Sequence, residues 1–185
     1  VIGLSLDPKL DILEHNKYLF SSLSLQEILR KKSLYVDIRN YEFISKALLE
    51  IQPDLVFHLA AQSLVSRSYR EPINTWDTNV IGTLNLLESL RGVRRKCAAV
   101  LVSTDKVYKN KELLNGYIET DELGGFDPYS ASKAAMEIAI ESWNNSFCVG
   151  SNPQLSNIAL ASARSGNVIG GGDFSENRII PDVIR

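Results

Sequence analysis

Short apolar runs alternate along this chain with segments of helical periodicity, and this alternation is the strongest constraint on its fold. The strand candidates are residues 1–6, 34–37, 55–57, 98–102 and 158–163. The helical candidates are residues 25–32, 40–52, 72–90, 129–147 and a segment that begins at residue 181. Uninterrupted apolar runs such as residues 55–57 are typical of strands buried on both faces. The order of elements predicts an α/β fold, a doubly wound parallel sheet with helices on both faces.

Composition and charge exclude several classes of protein. The chain has 185 residues, of which 44% are hydrophobic and 23% charged, so it is long enough to bury the core of one globular domain. The net charge of −2 provides no basic surface for nucleic acid or an anionic membrane. No run approaches the roughly 20 apolar residues of a membrane span. Cys97 and Cys148 stand far apart and in no metal-binding spacing, which favours buried thiols, no metal site and a reducing, cytoplasmic location.

The motif Tyr-Ser-Ala-Ser-Lys at residues 129–133 places a phenol and an ammonium on one helix face. A phenol has an unperturbed pKa near 10, which is too high for a general base at neutral pH. The ammonium of Lys133 favours the phenolate of Tyr129 by charge attraction, so the pair can take a proton from a substrate hydroxyl. Taken alone, the same spacing is more often that of an ordinary pair on a helix surface.

A second polar cluster, Ser-Thr-Asp-Lys at residues 103–106, follows the strand candidate 98–102. Ligands of parallel α/β sheets bind beyond the carboxyl ends of the strands, where this cluster is predicted to lie. The hydroxyl of Thr104 can donate a hydrogen bond to the oxygen that Tyr129 deprotonates. The alternative is a turn or a helix cap, which the same residue types also form.

Further motifs stand beside these two in a fixed order along the chain. They are His-Leu-Ala-Ala-Gln at 58–62, Ser-Tyr-Arg-Glu-Pro at 68–72, Thr-Asn-Val-Ile-Gly-Thr at 78–83, Gly-Gly-Phe-Asp-Pro-Tyr at 124–129, Arg-Ser-Gly-Asn-Val at 164–168 and Gly-Asn-Val-Ile-Gly-Gly-Gly-Asp at 166–173. Together they resemble the extended short-chain dehydrogenases/reductases, and within them the nucleotide-sugar dehydratase group. The resemblance covers nearly the whole chain and implies a Rossmann-like domain that acts on a nucleotide sugar with NAD, NADP being left open.

The resemblance also implies catalytic roles. Thr104, Tyr129 and Lys133 match the catalytic triad of these enzymes, and Asp105 matches the acid that protonates a departing hydroxyl. Lys106 stands where related dehydratases carry Glu, the base that removes the sugar C5 proton. A lysine here acts as that base, stabilises an enolate by its charge, or is merely a solvated side chain.

The binding residues are inferred in the same way. The residues matched to cofactor contacts are Asp37, Leu59, Ala60, Ala61, Gln62 and Asn79, together with Tyr129 and Lys133. Arg164 and Asn167 match positions near the substrate. His58 is expected to be a packed residue at a strand end, and Asp37 is nearly as well explained as a turn residue. Members of the group commonly pair through helices that correspond to residues 72–90 and 129–147, so the resemblance implies a homodimer.

The chain departs from the group at both ends. It has no Gly-rich turn of the G-x-x-G-x-x-G kind, which holds the cofactor pyrophosphate, and it ends where the substrate domain of the group begins. We therefore expect residues 1–185 to form a partial cofactor-binding domain that is inactive alone. The alternatives are an epimerase or reductase acting on another nucleotide sugar, and a non-catalytic remnant of the same scaffold.

Overall fold

The computed structural model describes residues 1–7, 33–112, 114–149, 155, 157–170, 173 and 175–184. Its strands are β1 (Gly3–Ser5), β2 (Ser33–Tyr35), β3 (Leu55–His58), β4 (Cys97–Val102) and β5 (Ile158–Ala163). Its helices are α1 (Tyr41–Ile51), α2 (Val65–Arg70), α3 (Pro72–Trp76), α4 (Gly82–Leu90), α5 (Pro128–Trp143) and α6 (Ile179–Ile184). The helical turns are a π turn at Asp77–Ile81 between α3 and α4, a 3₁₀ turn at Asp105–Val107 after β4, and a π turn at Asn144–Cys148 after α5.

Two compact units make up the chain, and the smaller one comprises Val1–Asp37 and Asn167–Arg185. In this unit β1 and β2 pair in parallel, with Gly3 opposite Ser33. The predicted strands at residues 1–6 and 34–37 are confirmed, although both are shorter than predicted. The predicted helix at residues 25–32 lies outside the described residues. Helix α6 begins two residues earlier than the sequence predicted.

The larger unit, Ile38–Gly166, contains a parallel sheet in the order β3-β4-β5. The predicted parallel α/β arrangement is confirmed. The prediction that β3 is buried on both faces is wrong, because Leu55 is 52% and Phe57 61% exposed. These side chains lie on the face opposite buried Ala99 and Leu101, since Phe57 is in register with Val100. Within the described residues, β3 is an outer strand and the helical cover buries one face of the sheet.

The helices of the larger unit begin where the sequence places capping residues. Asn40 caps α1, and its Oδ1 accepts a hydrogen bond of 3.1 Å from the backbone N–H of Phe43. Pro72 opens α3, and the π turn makes α3 and α4 continuous over the predicted helix 72–90. Helix α2 was not predicted, because no side chain caps its N-terminus. No helix in the described parts of the chain has both the length and the apolar character needed to cross a bilayer.

Helix α5 starts against a glycine, and this contact fixes the position of its first turn. Asp127 caps the helix by accepting a 3.0 Å hydrogen bond from the backbone N–H of Ser130. A Cβ atom at Gly125 would lie 2.2 Å from the carbonyl carbon of Ser130 and 2.5 Å from the backbone nitrogen of Ala131. Only glycine allows this close approach of two backbone segments, so Gly125 seats the helix that carries the Tyr-Lys motif.

Candidate active site

The polar residues singled out in the sequence gather at the carboxyl ends of the strands in the larger unit. Residues 59–62 follow β3, residues 103–106 follow β4, and Arg164 follows β5. Tyr129 and Lys133 lie on α5. Asp37 and Asn167 belong to the smaller unit, in which Asp37 is partly buried and Asn167 is exposed. The larger unit therefore contains the predicted catalytic residues together.

Lys133 is a buried cation, with 4% of its surface exposed. Its Nζ donates a 3.1 Å hydrogen bond to the backbone carbonyl of Val102, the last residue of β4, and contacts Met136 Sδ at 3.6 Å. Burial lowers the pKa of Lys133 from 10.5 to about 8, and attraction to the carboxylate of Glu137 opposes this shift. The side chain is therefore largely charged at neutral pH, although little solvent surrounds it.

Tyr129 lies one helical turn before Lys133, near the start of α5, and is 8% exposed. Its backbone carbonyl accepts a 2.7 Å hydrogen bond from Ser132 Oγ. Because residues four apart lie on the same helix face, the buried phenol and the buried ammonium occupy the same side of α5. This is the relationship that the sequence motif predicted.

Thr104 and Asp105 form a hydrogen-bonded pair directly after β4. Thr104 is 6% exposed, and its Oγ1 donates a 3.1 Å hydrogen bond to Asp105 Oδ1. The backbone N–H of Asp105 donates to Ser165 O at 2.9 Å, which ties the segment to the residues after β5. Lys106 Nζ lies 3.7 Å from Asp105 Oδ1, with 42% of the lysine side chain and 56% of the aspartate side chain exposed. An accessible carboxyl group and an accessible ammonium thus stand beside the buried threonine.

Asn79 is fully buried and holds the segment after β3 to helix α5. Its Oδ1 accepts from the backbone N–H of Gln62 at 2.8 Å, and its Nδ2 donates to Gln62 O at 3.1 Å and to Ser132 Oγ at 2.9 Å. The side chain of Gln62 is also engaged, since its Nε2 donates to Thr75 Oγ1 at 2.9 Å and to Leu64 O at 3.1 Å. Both side chains are committed to holding this segment in place.

The segment after β3 is accessible just before this anchor. Leu59 is 70% exposed, Ala60 is exposed, and Ala61 is partly buried. Short side chains at positions 60 and 61 leave the backbone open to a ligand.

His58 is a packed residue at the end of β3, as expected. It is 4% exposed, and its Nε2 lies 2.9 Å from Thr83 Oγ1. The hydroxyl of Thr83 donates to Asn79 O at 2.7 Å, so it accepts its other hydrogen bond from a protonated Nε2 of the imidazole. Burial, and then the charge of Lys133, lowers the pKa of His58 from 6.5 to about 4, which keeps the ring neutral.

Arg164 was expected near the substrate, and its guanidinium group is already engaged by the protein. Its Nε donates to both carboxylate oxygens of Glu137 at 2.9 Å, and its NH2 group donates to Oε2 at 2.5 Å. Its NH1 group donates to Glu119 O at 3.2 Å, and the guanidinium carbon lies 4.7 Å from the ring centre of Tyr108. These contacts raise the pKa of Arg164, so its charge is permanent.

Ser103 carries a buried hydroxyl that no protein atom satisfies among the described residues. Its side-chain Oγ has no hydrogen-bond partner, and the residue is 6% exposed. Buried polar groups are nearly always paired, because leaving one unpaired costs about 1–3 kcal/mol. Ser103 directly follows Val102, whose carbonyl accepts a hydrogen bond from the Lys133 ammonium. The orphaned hydroxyl and the open backbone at Ala60 fit a polar ligand such as a nicotinamide dinucleotide.

Sequence reasoning gave no role to Ser103 or Glu137. The signal for Glu137 was an ionisable residue four positions after Lys133, on the buried face of the same helix. Its partner Arg164 is 27 positions away, and no local pattern announces that pairing. The signal for Ser103 was weaker, because a serine in this cluster is equally well explained as a turn residue.

A parallel α/β sheet, with a buried Tyr-Lys pair on a helix beside its strand ends, defines a Rossmann-like domain of the short-chain dehydrogenase/reductase type. The chain belongs to the GDP-mannose 4,6 dehydratase family, whose model matches residues 11–178.

Two relatives illustrate the range of the resemblance in sequence. The CDP-glucose 4,6-dehydratase of Salmonella typhimurium is 45% identical over 166 residues, which cover 88% of this chain and 46% of that protein. The UDP-glucose 4-epimerase of Mycoplasma pneumoniae is 30% identical over 174 residues, which cover 89% of this chain and 49% of that protein. The chain therefore spans about half the length of the curated relatives it matches.

A solved structure agrees in fold. The dTDP-glucose 4,6-dehydratase DesIV from Streptomyces venezuelae, a double mutant with NAD and DAU bound, superimposes with a TM-score of 0.72 at 24% identity. The match covers 89% of this chain and 47% of that one. At this level of identity the similarity establishes the Rossmann-like fold.

Proposed function

We propose that this chain carries the catalytic residues of an NAD-dependent nucleotide-sugar 4,6-dehydratase, a lyase whose substrate is CDP-glucose. The observation that carries the proposal is the buried Tyr129–Lys133 pair beside the end of β4, where Thr104 and Asp105 stand. The 45% identity to a CDP-glucose 4,6-dehydratase supports the choice of substrate. The product is a 4-keto-6-deoxy sugar nucleotide.

The first step is oxidation of the sugar at C4. Bound NAD supplies the reversible hydride acceptor that this chemistry requires. Tyr129, ionised with the help of the Lys133 ammonium, takes the proton of the 4-hydroxyl as hydride leaves C4. Thr104 donates a hydrogen bond to the same oxygen, and for this its hydroxyl turns away from Asp105.

The second step is loss of water across C5 and C6. The 4-keto group acidifies the C5 proton, which Lys106 removes, or whose loss Lys106 assists by stabilising the enolate. Asp105 protonates the departing 6-hydroxyl, so that water leaves. Hydride then returns to C6 and a proton to C5. Lys106 Nζ lies 3.7 Å from Asp105 Oδ1, so both groups can reach one C5–C6 bond. In this step Asp105 starts as the protonated acid, and Lys106 is neutral where it acts as the base and charged where it stabilises the enolate.

Contacts to the ligands are proposed for the residues inferred from the sequence. The proposed cofactor contacts are Asp37, Leu59, Ala60, Ala61, Gln62, Asn79, Tyr129 and Lys133, and the proposed substrate contacts are Arg164 and Asn167. Ser103, with its unsatisfied hydroxyl, joins the cofactor contacts. NADP is the alternative cofactor. In this proposal Asn79 acts by holding residues 60–62 in place, because its amide is committed to Gln62 and Ser132.

The second candidate function is that of an epimerase or reductase acting on another nucleotide sugar. The 30% identity to a UDP-glucose 4-epimerase favours it. An epimerase needs Tyr129 and Lys133 but has no use for an acid that expels water. The pairing of Asp105 with Lys106 therefore supports the dehydratase. A non-catalytic remnant of the scaffold is disfavoured, because the catalytic residues stand together in one unit.

Assembly and location form the last part of the proposal. A homodimer through α3–α4 and α5 is supported by three exposed apolar side chains, since Ile73 is 74%, Trp76 40% and Ile138 58% exposed. A cytoplasmic location is supported by the buried free thiols of Cys97 and Cys148.

Because residues 1–185 are expected to be inactive alone, the proposed function is tested by incubating the full-length protein that carries them with CDP-glucose and NAD. The 4-keto product absorbs in strong base, and UDP-glucose and dTDP-glucose serve as competing substrates. We expect Tyr129→Phe to lower the rate by about 10²–10⁴-fold, which is the contribution of a general base. Tyr41→Phe, at a 43% exposed position that opens α1, is the matched control. A 4-epimer as the product, or full activity of Tyr129→Phe, would contradict the proposal.

A further inference from the structure

A buried ion pair stands on the helix of the candidate active site, one turn beyond Lys133. The Glu137 side chain is 4% exposed, and Arg164 grips it with three hydrogen bonds of 2.5–2.9 Å. Removing one partner of such a pair leaves an uncompensated charge in the interior. Loss of either partner is therefore expected to lower the free energy of unfolding.

Glu137 lies one helical turn after Lys133, on the same buried face of α5. The two residues are four positions apart on α5, and both are buried, so they share the inward face of the helix. The attraction between them raises the pKa of Lys133 and opposes the effect of burial. Without a nearby anion, the ammonium would have only a carbonyl and a thioether sulfur as partners.

Arg164 partly neutralises the Glu137 carboxylate and so weakens its attraction for the Lys133 ammonium. The guanidinium binds the carboxylate from the side of β5, and it also contacts Glu119 O and the ring of Tyr108. The same cation therefore joins the end of β5, helix α5 and the segment that follows residues 103–106. A shift of that segment would alter both the position and the effective charge of Glu137.

We propose that Glu137, held by Arg164, is a positioning residue whose buried carboxylate acts on the Lys133 ammonium one helical turn away. The catalytic meaning of this inference rests on the proposed function, whereas the electrostatic coupling does not depend on turnover. Arg164 thereby also serves the site through Glu137, from the end of β5.

Few other charged groups among the described residues affect the pKa of Lys133. His58, from β3, is neutral and hydrogen-bonded to Thr83, and Tyr129 lies one turn earlier on α5. Lys106 and Asp105, after β4, pair with each other and are solvent-accessible. Among the described residues, the Glu137 carboxylate is therefore the main anion near Lys133 for as long as the Tyr129 phenol is protonated.

A pH titration of Lys133 by NMR tests the coupling in the full chain. The ¹³Cε resonance is observed in ¹³C-lysine-labelled protein and assigned by its absence in Lys133→Arg. We expect a midpoint near 8 in the parent chain. Glu137→Gln should lower that midpoint by about one pH unit. Glu141→Gln removes an exposed carboxylate from the next turn of the same helix and should leave the midpoint unchanged.

Arg164→Met should move the midpoint in the opposite direction, because the Glu137 carboxylate then has Lys133 as its main cationic neighbour. Equal midpoints in Glu137→Gln and Glu141→Gln would overturn the proposal.

A measurement on the parent chain guards against variants that do not fold. The carboxyl ¹³C resonance of Glu137 should show a step at the Lys133 midpoint, since the carboxylate senses loss of the ammonium charge. A Glu137 resonance without a step at that midpoint would equally overturn the proposal. These titrations need no turnover, so failure of the dehydratase assay and failure of the coupling are distinguished.

Discussion

Lys133 Nζ donates a 3.1 Å hydrogen bond to the carbonyl oxygen of Val102, which joins helix α5 to the last residue of β4. Val102 precedes Thr104 by two residues, and Lys133 lies one helical turn after Tyr129. The bond therefore holds the buried ammonium near the segment that contains Thr104. Because the pKa of Lys133 is lowered only to about 8, the group keeps its charge at neutral pH. The chemistry proposed for Tyr129 depends on this charge.

Replacing Gly125 should displace the helix that carries Tyr129. In Gly125→Ala the new Cβ would meet backbone atoms of Ser130 and Ala131 at 2.2–2.5 Å. We expect a loss of about 1–3 kcal/mol in the free energy of unfolding, as for other overpacked sites, measured by urea denaturation. Gly116→Ala is the control, because no heavy atom lies within 4 Å of its Cβ. Equal stabilities of the two variants would refute the proposed close approach.

Asn79 should be essential to the segment after β3. Asn79→Ala leaves the backbone N–H and carbonyl of Gln62 without their side-chain partner. The expected loss in the free energy of unfolding is about 1–3 kcal/mol, the cost of orphaned buried groups. Hydrogen exchange at the Gln62 amide should accelerate in the same variant. Asn145→Ala, at an exposed position, should change neither quantity, and a matching effect there would count against the role of Asn79.

His58 should make the protein less stable in weak acid. Its pKa is about 4 in the folded chain against 6.5 for the free side chain, so the unfolded chain binds the proton first. The contribution of neutral His58 to the free energy of unfolding is fully present above pH 6.5. It is lost as the pH falls toward 4, by about 3 kcal/mol in total. Urea denaturation at intervals between pH 7 and pH 4 measures this slope. His58→Gln should flatten it, and an unchanged slope would show that another group is responsible.

Ser103→Ala should separate the structural and binding roles of the unpaired hydroxyl. Removing a buried hydroxyl without a partner should raise the free energy of unfolding by about 1 kcal/mol. Calorimetric titration of the full-length protein with NAD should show weaker binding in the variant, because the proposed contact is lost. A variant that is both less stable and unchanged in NAD affinity would mean that the hydroxyl is satisfied within the protein.

Local patterns predicted most of the fold. Asn40 caps α1 and Pro72 opens α3 as expected, and the strands end where polar clusters begin. The burial of β3 was misjudged, because an apolar run indicates a strand without telling which faces its neighbours cover. Leu55 and Phe57 are exposed for this reason.

The candidate site was predicted in its residues more than in their partners. The Tyr-Lys pair follows from helical spacing alone. The bond between Lys133 and Val102 and the pairing of Arg164 with Glu137 join positions 27 or more residues apart. Such pairings depend on how helix α5 packs against the sheet, which no local pattern encodes. The predicted contact of Arg164 with substrate therefore remains a proposal beside its observed contact with Glu137.

Isotope transfer in the sugar tests the central claim most directly. CDP-glucose carrying deuterium at C4 is incubated with the protein and NAD, and the product is analysed by ²H NMR. Removal of hydride from C4 and its return to C6 predict that the deuterium appears in the methyl group of a 4-keto-6-deoxy product. Deuterium found at C4 of a 4-epimer, with none in a methyl group, would contradict the account.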